Sequence, residues 1–154
     1  LGFETLAISP SQIYPRSIDF EVLATLVQLS AAASNMATNV RLMSGYGLVS
    51  EGFNSDQVGS SAMPHKVNAR LSERLNGLAV VLKGYALMIS EISGNQWNEG
   101  DVSCSVVRRV ALPDSFYAID AILDTAINII INLEINEDAI SAELKANLPF
   151  MLSS

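Results

Sequence analysis

The stretch Ser17–Val40, SIDFEVLATLVQLSAAASNMATNV, carries apolar or small residues at Phe20, Leu23, Leu26, Val27, Ser30, Ala31, Ser34, Ala37 and Val40. Steps of three and four keep those positions on one face of a helix, and the pattern holds for about six turns. Ser17 is expected to be the N-cap, its hydroxyl accepting from a free amide of the first turn, with Pro15 and Arg16 ahead of it. The small residues Ala31 to Ser34 let a second helix approach closely. Gly45, Gly47 and Gly52 end the helix.

Working outward, a second helix is predicted from about Ala69 to Ile92, burying Leu71, Leu75, Leu78, Ala79, Leu82, Tyr85 and Ile89, with Gly94 and Asn95 as its stop. A third is predicted from Asp101 or Val102 to Ile131, with Pro113 as an internal kink or break. Its residues Ile119, Ile122, Leu123, Ala126, Ile127, Ile130 and Ile131 line more than one face. Strand signals are thin, so the fold class is all-α. Stripes this wide need several neighbours to cover them, which points to an oligomeric long-helix bundle. From Asn136 the wording changes to NEDAISAELKANLPF, a short amphipathic helix behind an Asn cap. The expected division is a central helical-bundle domain over 1–135, with a loop near 53–68, and the start of a C-terminal helical domain over 136–154.

The chain has 154 residues, about half of them hydrophobic, enough for one core and incompatible with disorder. Beginning at Leu1 and stopping in Ser153 and Ser154 after LPFM, it reads as a piece of a longer protein. A net charge of −7 argues against a nucleic-acid surface, which needs a basic patch to displace counterions. The few cations gather at Arg70, Arg74, Arg108 and Arg109, while Glu134, Glu137, Asp138 and Glu143 crowd the far end. Cys104 is the only cysteine, which excludes an intrachain disulfide and favours a reducing, cytoplasmic setting; its apolar context VSCSVV suits a packed residue. No run reads as long as a membrane span: the richest, Ala126–Leu133, is broken by Asn128 and Asn132. No dinucleotide fingerprint, P-loop or Cys/His ligand set occurs, so neither a metal nor a redox cofactor is expected.

Chemistry concentrates in Gly59–Asn68, GSSAMPHKVN. Gly59 lets backbone approach a ligand, Ser60 and Ser61 offer hydroxyls, Pro64 stiffens the turn, and Lys66 places a cation just before a helix entrance whose free amides favour an anion. Taken alone, the run is equally an anion cradle or a polar surface turn. It resembles the signature loop of the fumarase/aspartase superfamily, whose members cleave C–N or C–O bonds and release fumarate. Gln12–Leu29 (QIYPRSIDFEVLATLVQL), Asn68–Ala86 (NARLSERLNGLAVVLKGYA) and Gln96–Phe116 (QWNEGDVSCSVVRRVALPDSF) are similar, within that superfamily, to the adenylosuccinate lyases.

That resemblance implies a several-hundred-residue enzyme of which this is the middle third, a homotetramer with active sites where three subunits meet, and a nucleotide substrate. The implied reaction removes fumarate from adenylosuccinate, giving AMP, and from the succinylocarboxamide ribotide of purine synthesis. By match to the motif, Ser60 is the general base. Lys66 and Asn68 bind substrate carboxylate, with Ser61 and Met63 beside them in the substrate-binding loop. Glu73 orients a catalytic histidine from a neighbouring subunit; otherwise it is a surface acid pairing with Arg70. Arg74 is a candidate for the nucleotide side. Ser105 and Arg109, four apart on one helix face, fit the phosphate-contacting positions, although Ser-x-x-x-Arg is itself a common spacing. Gln12 matches a substrate-binding position, and Arg16 either joins it or ends a turn. Arg108 projects elsewhere and can bridge to an acid. His65 is read as a loop residue, the acid histidine belonging to segments upstream, so the isolated piece is expected to be inactive. Ala69 and Gly100 depart from the usual proline and arginine. Argininosuccinate lyase and carboxymuconate cycloisomerase types, or a silent oligomerisation module, are the alternatives.

Overall fold

The computed structural model describes residues 2–6, 13–52, 68–95 and 102–151. The heptad-like stripes of the sequence become three long helices, α1 (Ser17–Gly45), α2 (Arg70–Ile92) and α3 (Val102–Asn132), followed by α4 (Glu137–Met151). Two two-residue strands, β1 (Val49–Ser50) and β2 (Glu134–Ile135), pair antiparallel with Val49 opposite Ile135 and Ser50 opposite Glu134. The class is all-α, as the periodicity required.

The helices run up, down and up, which the two layers of the core make plain. At one end Ala37, Val40 and Val49 pack with Leu75, Ala79 and Leu82 of α2 and Ala118, Ile119, Ile122, Ala126 and Ile129 of α3. At the other, Leu23 of α1 meets Ala86, Ile89 and Ile92 of α2 and Cys104 and Ala111 of α3. The start of α2 therefore lies beside the ends of α1 and α3, and its end beside their starts. Leu23, Leu75, Leu82, Ile89, Ile122 and Ile129 are fully buried, each worth about 1.5–3 kcal/mol in removal from water. Cys104 is packed among them as a free thiol.

Polar side chains also link α1 to α2. The Asn76 amide donates to the Ser34 carbonyl at 2.8 Å and the Ser34 hydroxyl at 3.0 Å, and its oxygen accepts from Arg41 at 2.9 Å.

Several expectations are corrected. Ser17 is the first helical residue, and Arg16 holds the N-cap position without a side-chain cap bond. Its αR backbone starts the turn one residue early, the Pro15 carbonyl accepting from Ile18 and the Arg16 carbonyl from Asp19. Phe20 and Ala31 of the expected stripe are exposed, as are Leu123, Ile127, Ile130 and Ile131 of α3. The core takes a narrower face than the apolar pattern covers. Pro113 neither breaks nor ends α3. It sits on the exposed side, where the carbonyl it leaves without a helical donor can bond water. The 23-residue α2 also has the length and apolar composition of a membrane span, contrary to the sequence reading. It packs on α1 and α3, and carries Arg70, Glu73, Arg74 and Lys83, the character of a core helix.

The Asn136 cap is present: its side-chain oxygen accepts from the Ala139 amide at 3.1 Å, while its own amides bond the Leu48 and Gly47 carbonyls. Gly52 closes the same corner at φ +74°, where an added Cβ would stand 2.7 Å from the Asn132 carbonyl oxygen. Gly52→Ala is expected to destabilise the fold by about 1–3 kcal/mol, from left-handed strain and that backbone clash, read as a lower urea midpoint.

Candidate active site

The described candidates fall at opposite ends of the bundle. Asn68 lies just before α2, and Glu73 and Arg74 lie in its first turns; Asn68 and Glu73 share a groove with the end of α1 and the β1–β2 corner. Ser105 and Arg109 belong to the first turns of α3. Ala111 shares a core cluster with Ala86, so Arg109 lies near that level. From Glu73 to Ala86 the helix rises about 20 Å at 1.5 Å per residue. One chain does not bring the two groups together.

At the α2 end, an open groove of about 1430 Å³ is lined by Asn68, Ala69, Glu73, Thr38, Arg41 and the Glu134–Asp138 segment, among others. Glu73 is exposed, and its carboxylate has no partner among the described residues; the alternative pairing with Arg70 is not made. Arg74 is exposed too and is not among the lining residues. Among the described lining residues Arg41 is the only cation, set against the carboxylates Glu73, Glu134, Glu137 and Asp138. These carboxylates favour a cationic or hydrogen-donating group beside Glu73.

Next in the chain to Ser50, which lines the groove, stands a carboxylate that the sequence reading missed. Glu51 is buried; its Oε2 accepts from the Leu71 amide at 2.9 Å, and its Oε1 accepts from the Ser72 amide at 2.7 Å and from the Ser72 hydroxyl. A carboxylate across free first-turn amides suits both their hydrogen-bonding needs and the helix dipole. No local spacing rule links residues twenty apart, so only its place just before Gly52 hinted at a turn.

At the other end a polar cluster joins the segment before α1 to α3. The Tyr14 hydroxyl donates to Asp19 at 2.7 Å, Arg108 Nε donates to the other Asp19 oxygen at 2.5 Å, and a second Arg108 nitrogen donates to the Tyr14 hydroxyl. The guanidinium of Arg16 lies 4.9 Å from the Tyr14 ring centre. Burial, the Asp19 hydrogen bond and the Asp19 charge raise the Tyr14 phenol above its usual value. Burial pulls the Arg108 guanidinium down, and its bond and attraction to Asp19 more than reverse this. Arg108 thus bridges to an acid, as its offset on the helix suggested. Arg109, on a different side of α3, is exposed, and Ser105 is half-buried. Neither takes part in the Tyr14–Asp19–Arg108 network. Gln12, Ser60, Ser61, Met63 and Lys66 lie outside the described residues.

Comparison with known proteins gives a consistent picture. A family model described as lyase matches residues 5–84. The adenylosuccinate lyase of Saccharomyces cerevisiae is 37% identical over 151 residues, covering 98% of this chain and 31% of the yeast protein. That of Schistosoma mansoni is 35% identical over 98% of this chain and 32% of its own length. The Aquifex aeolicus enzyme is 36% identical over 97% of this chain and 35% of its length. The chain spans about a third of the length of these relatives.

Proposed function

The chain belongs to the lyase family, and on that premise we propose that the full-length protein is an adenylosuccinate lyase, a C–N lyase releasing fumarate from adenylosuccinate and from the corresponding succinylocarboxamide ribotide of purine biosynthesis. The observation that carries this reading is the likeness to adenylosuccinate lyases along 97–98% of the chain, extending through the Ser105–Arg109 helix that a phosphate-bearing substrate needs.

In this reading Ser60, its alkoxide stabilised by Lys66 and loop amides, removes the proton beside a substrate carboxylate. Lys66, Asn68 and Ser61 hold the aci-carboxylate that forms, because charge developing in a dry site is met best by donors already in place. Met63 belongs to the same substrate-binding segment. The departing nitrogen takes its proton from a histidine outside this segment. Glu73 suits the task of orienting such a histidine: it is unpaired among the described residues, and its groove attracts a partial positive charge. Ser105 and Arg109 take the substrate phosphate, Gln12 and Arg74 the remaining nucleotide contacts.

The separation of about 20 Å between Glu73 and Arg109 supports an assembly in which different subunits supply the two halves of each site. Exposed apolar side chains such as Leu87, Val106, Tyr117, Ile127, Ile130 and Ile131 offer the helix faces that a homotetramer would cover. The same reading makes 1–135 part of the central bundle domain and 136–154 the start of the next domain. It places the protein in the cytoplasm, with no metal or cofactor and with neither nucleic acid nor membrane as partner.

A substrate panel tests it. The full-length protein is expected to act on adenylosuccinate and to lose about 10- to 100-fold in kcat/KM on the dephosphorylated nucleoside, the worth of a charge-assisted contact pair. Preference for argininosuccinate, or indifference to the phosphate, would move the assignment to another member of the family. A stable oligomer without turnover on any of these substrates would leave only the oligomerisation module.

A further inference from the structure

We propose that Glu51 is a positioning residue of the active site, the clamp that ties the corner after β1 to the first turn of α2 and so sets Asn68 and Glu73. The inference rests on the reading of Ser60 and Glu73 given above. Glu51 directly follows β1 in the chain. The three groups it accepts from, the Leu71 amide, the Ser72 amide and the Ser72 hydroxyl, belong to the first turn of α2.

Each side of the clamp is fixed in turn. On the entry side, β1 pairs with β2, the Gly52 amide donates to the Ser50 hydroxyl at 3.0 Å, and the Gly52 backbone lies against the Asn132 carbonyl. On the exit side, Ser72 is fully buried, and the Glu73 amide bonds the Ala69 carbonyl at 2.9 Å. The carboxylate therefore transmits the position of the strand corner to the turn that carries Asn68 and Glu73. With both oxygens engaged, Glu51 is not itself a base or a partner for a histidine. Its chemistry is that of an acceptor for helix-entrance amides, and its effect on the reaction passes through the groups it places.

The test uses the full-length protein with Glu51→Ala, Glu51→Gln and, as a stability control in the core, Ile129→Val. Fumarate release from adenylosuccinate gives kcat and KM; hydrogen exchange over 69–73 reports the clamp directly. Glu51→Ala is expected to lower kcat about 10- to 100-fold with a smaller change in KM, the scale of a misplacement near 1 Å, and to speed exchange at Leu71 and Ser72. Glu51→Gln should fall between, since its one oxygen still accepts from Ser72 while its NH₂ faces the Leu71 amide. Ile129→Val should lower the melting temperature and keep kcat. If Glu51→Ala fails to fold, Glu51→Gln and Ser72→Ala carry the same comparison with smaller expected losses.

An active wild type whose Glu51 variants keep kcat within twofold (about 0.4 kcal/mol) would overturn the assignment of Glu51 alone. So would unchanged exchange at Leu71 and Ser72. A wild type that releases no fumarate from adenylosuccinate would overturn the lyase reading and this proposal with it.

Discussion

Ser60→Ala in the full-length protein is expected to lower kcat for fumarate release by about 10²- to 10⁴-fold, with KM changed little. A serine hydroxyl is a poor base in water, so its use requires a local field that stabilises the alkoxide. In the proposed mechanism the motif around it, GSSAMPHKVN, would supply that field through Lys66 and the amides near the helix entrance. Removing the oxygen leaves the donors in place, so substrate still binds and only the proton transfer fails. The melting temperature should stay at the wild-type value. A variant with wild-type kcat would assign the proton abstraction to another group.

Glu73→Gln is the second large effect, expected at about 10²- to 10⁴-fold in kcat. A carboxylate bonded to one imidazole nitrogen fixes which tautomer is presented at the other, and an amide in its place stabilises the wrong one. The exposed Glu73 carboxylate makes no bond to described neighbours, so this change should leave folding intact. That separates it from Glu51, whose carboxylate is consumed by three internal bonds. Stopped-flow or steady-state kinetics, paired with a melting curve for each variant, distinguishes the two carboxylates: Glu73→Gln affects rate alone, whereas Glu51→Ala affects rate, local exchange and stability.

Much of the bundle was legible because its determinants are local. Leu75, Ala79, Leu82 and Ile89 repeat at helical spacing, and all four are buried on α2. The Asn136 cap was equally plain, since the residue it bonds is three positions away. Where expectation and structure part, the deciding contact is distant or the rule is permissive. Ile127, Ile130 and Ile131 look like core residues by composition, but the three-helix packing uses the face of Ile122, Ala126 and Ile129. Pro113 is tolerated because its side of α3 is solvated.

The spacing of the candidate residues in three dimensions was not legible in the sequence. The resemblance implies one active site for Glu73 and Arg109, while the up-down-up course of the helices separates their levels along the bundle by about 20 Å. Nothing in the spacing of a single chain foretells that division, because it depends on where α2 turns back beside α3. Tyr14, Asp19 and Arg108 illustrate the same limit: the bond from Arg108 to Tyr14 joins residues 94 positions apart. The offset of Arg108 from Arg109 suggested an acid partner without identifying Asp19.

Product analysis with the intact protein is the most direct test of the central claim. Incubated with adenylosuccinate, it should form AMP and fumarate in equal amounts, and the Ser60→Ala protein, folded to the same degree, should form them at least about 10²-fold more slowly. Absence of both products, or equal rates from the two proteins, would contradict the account.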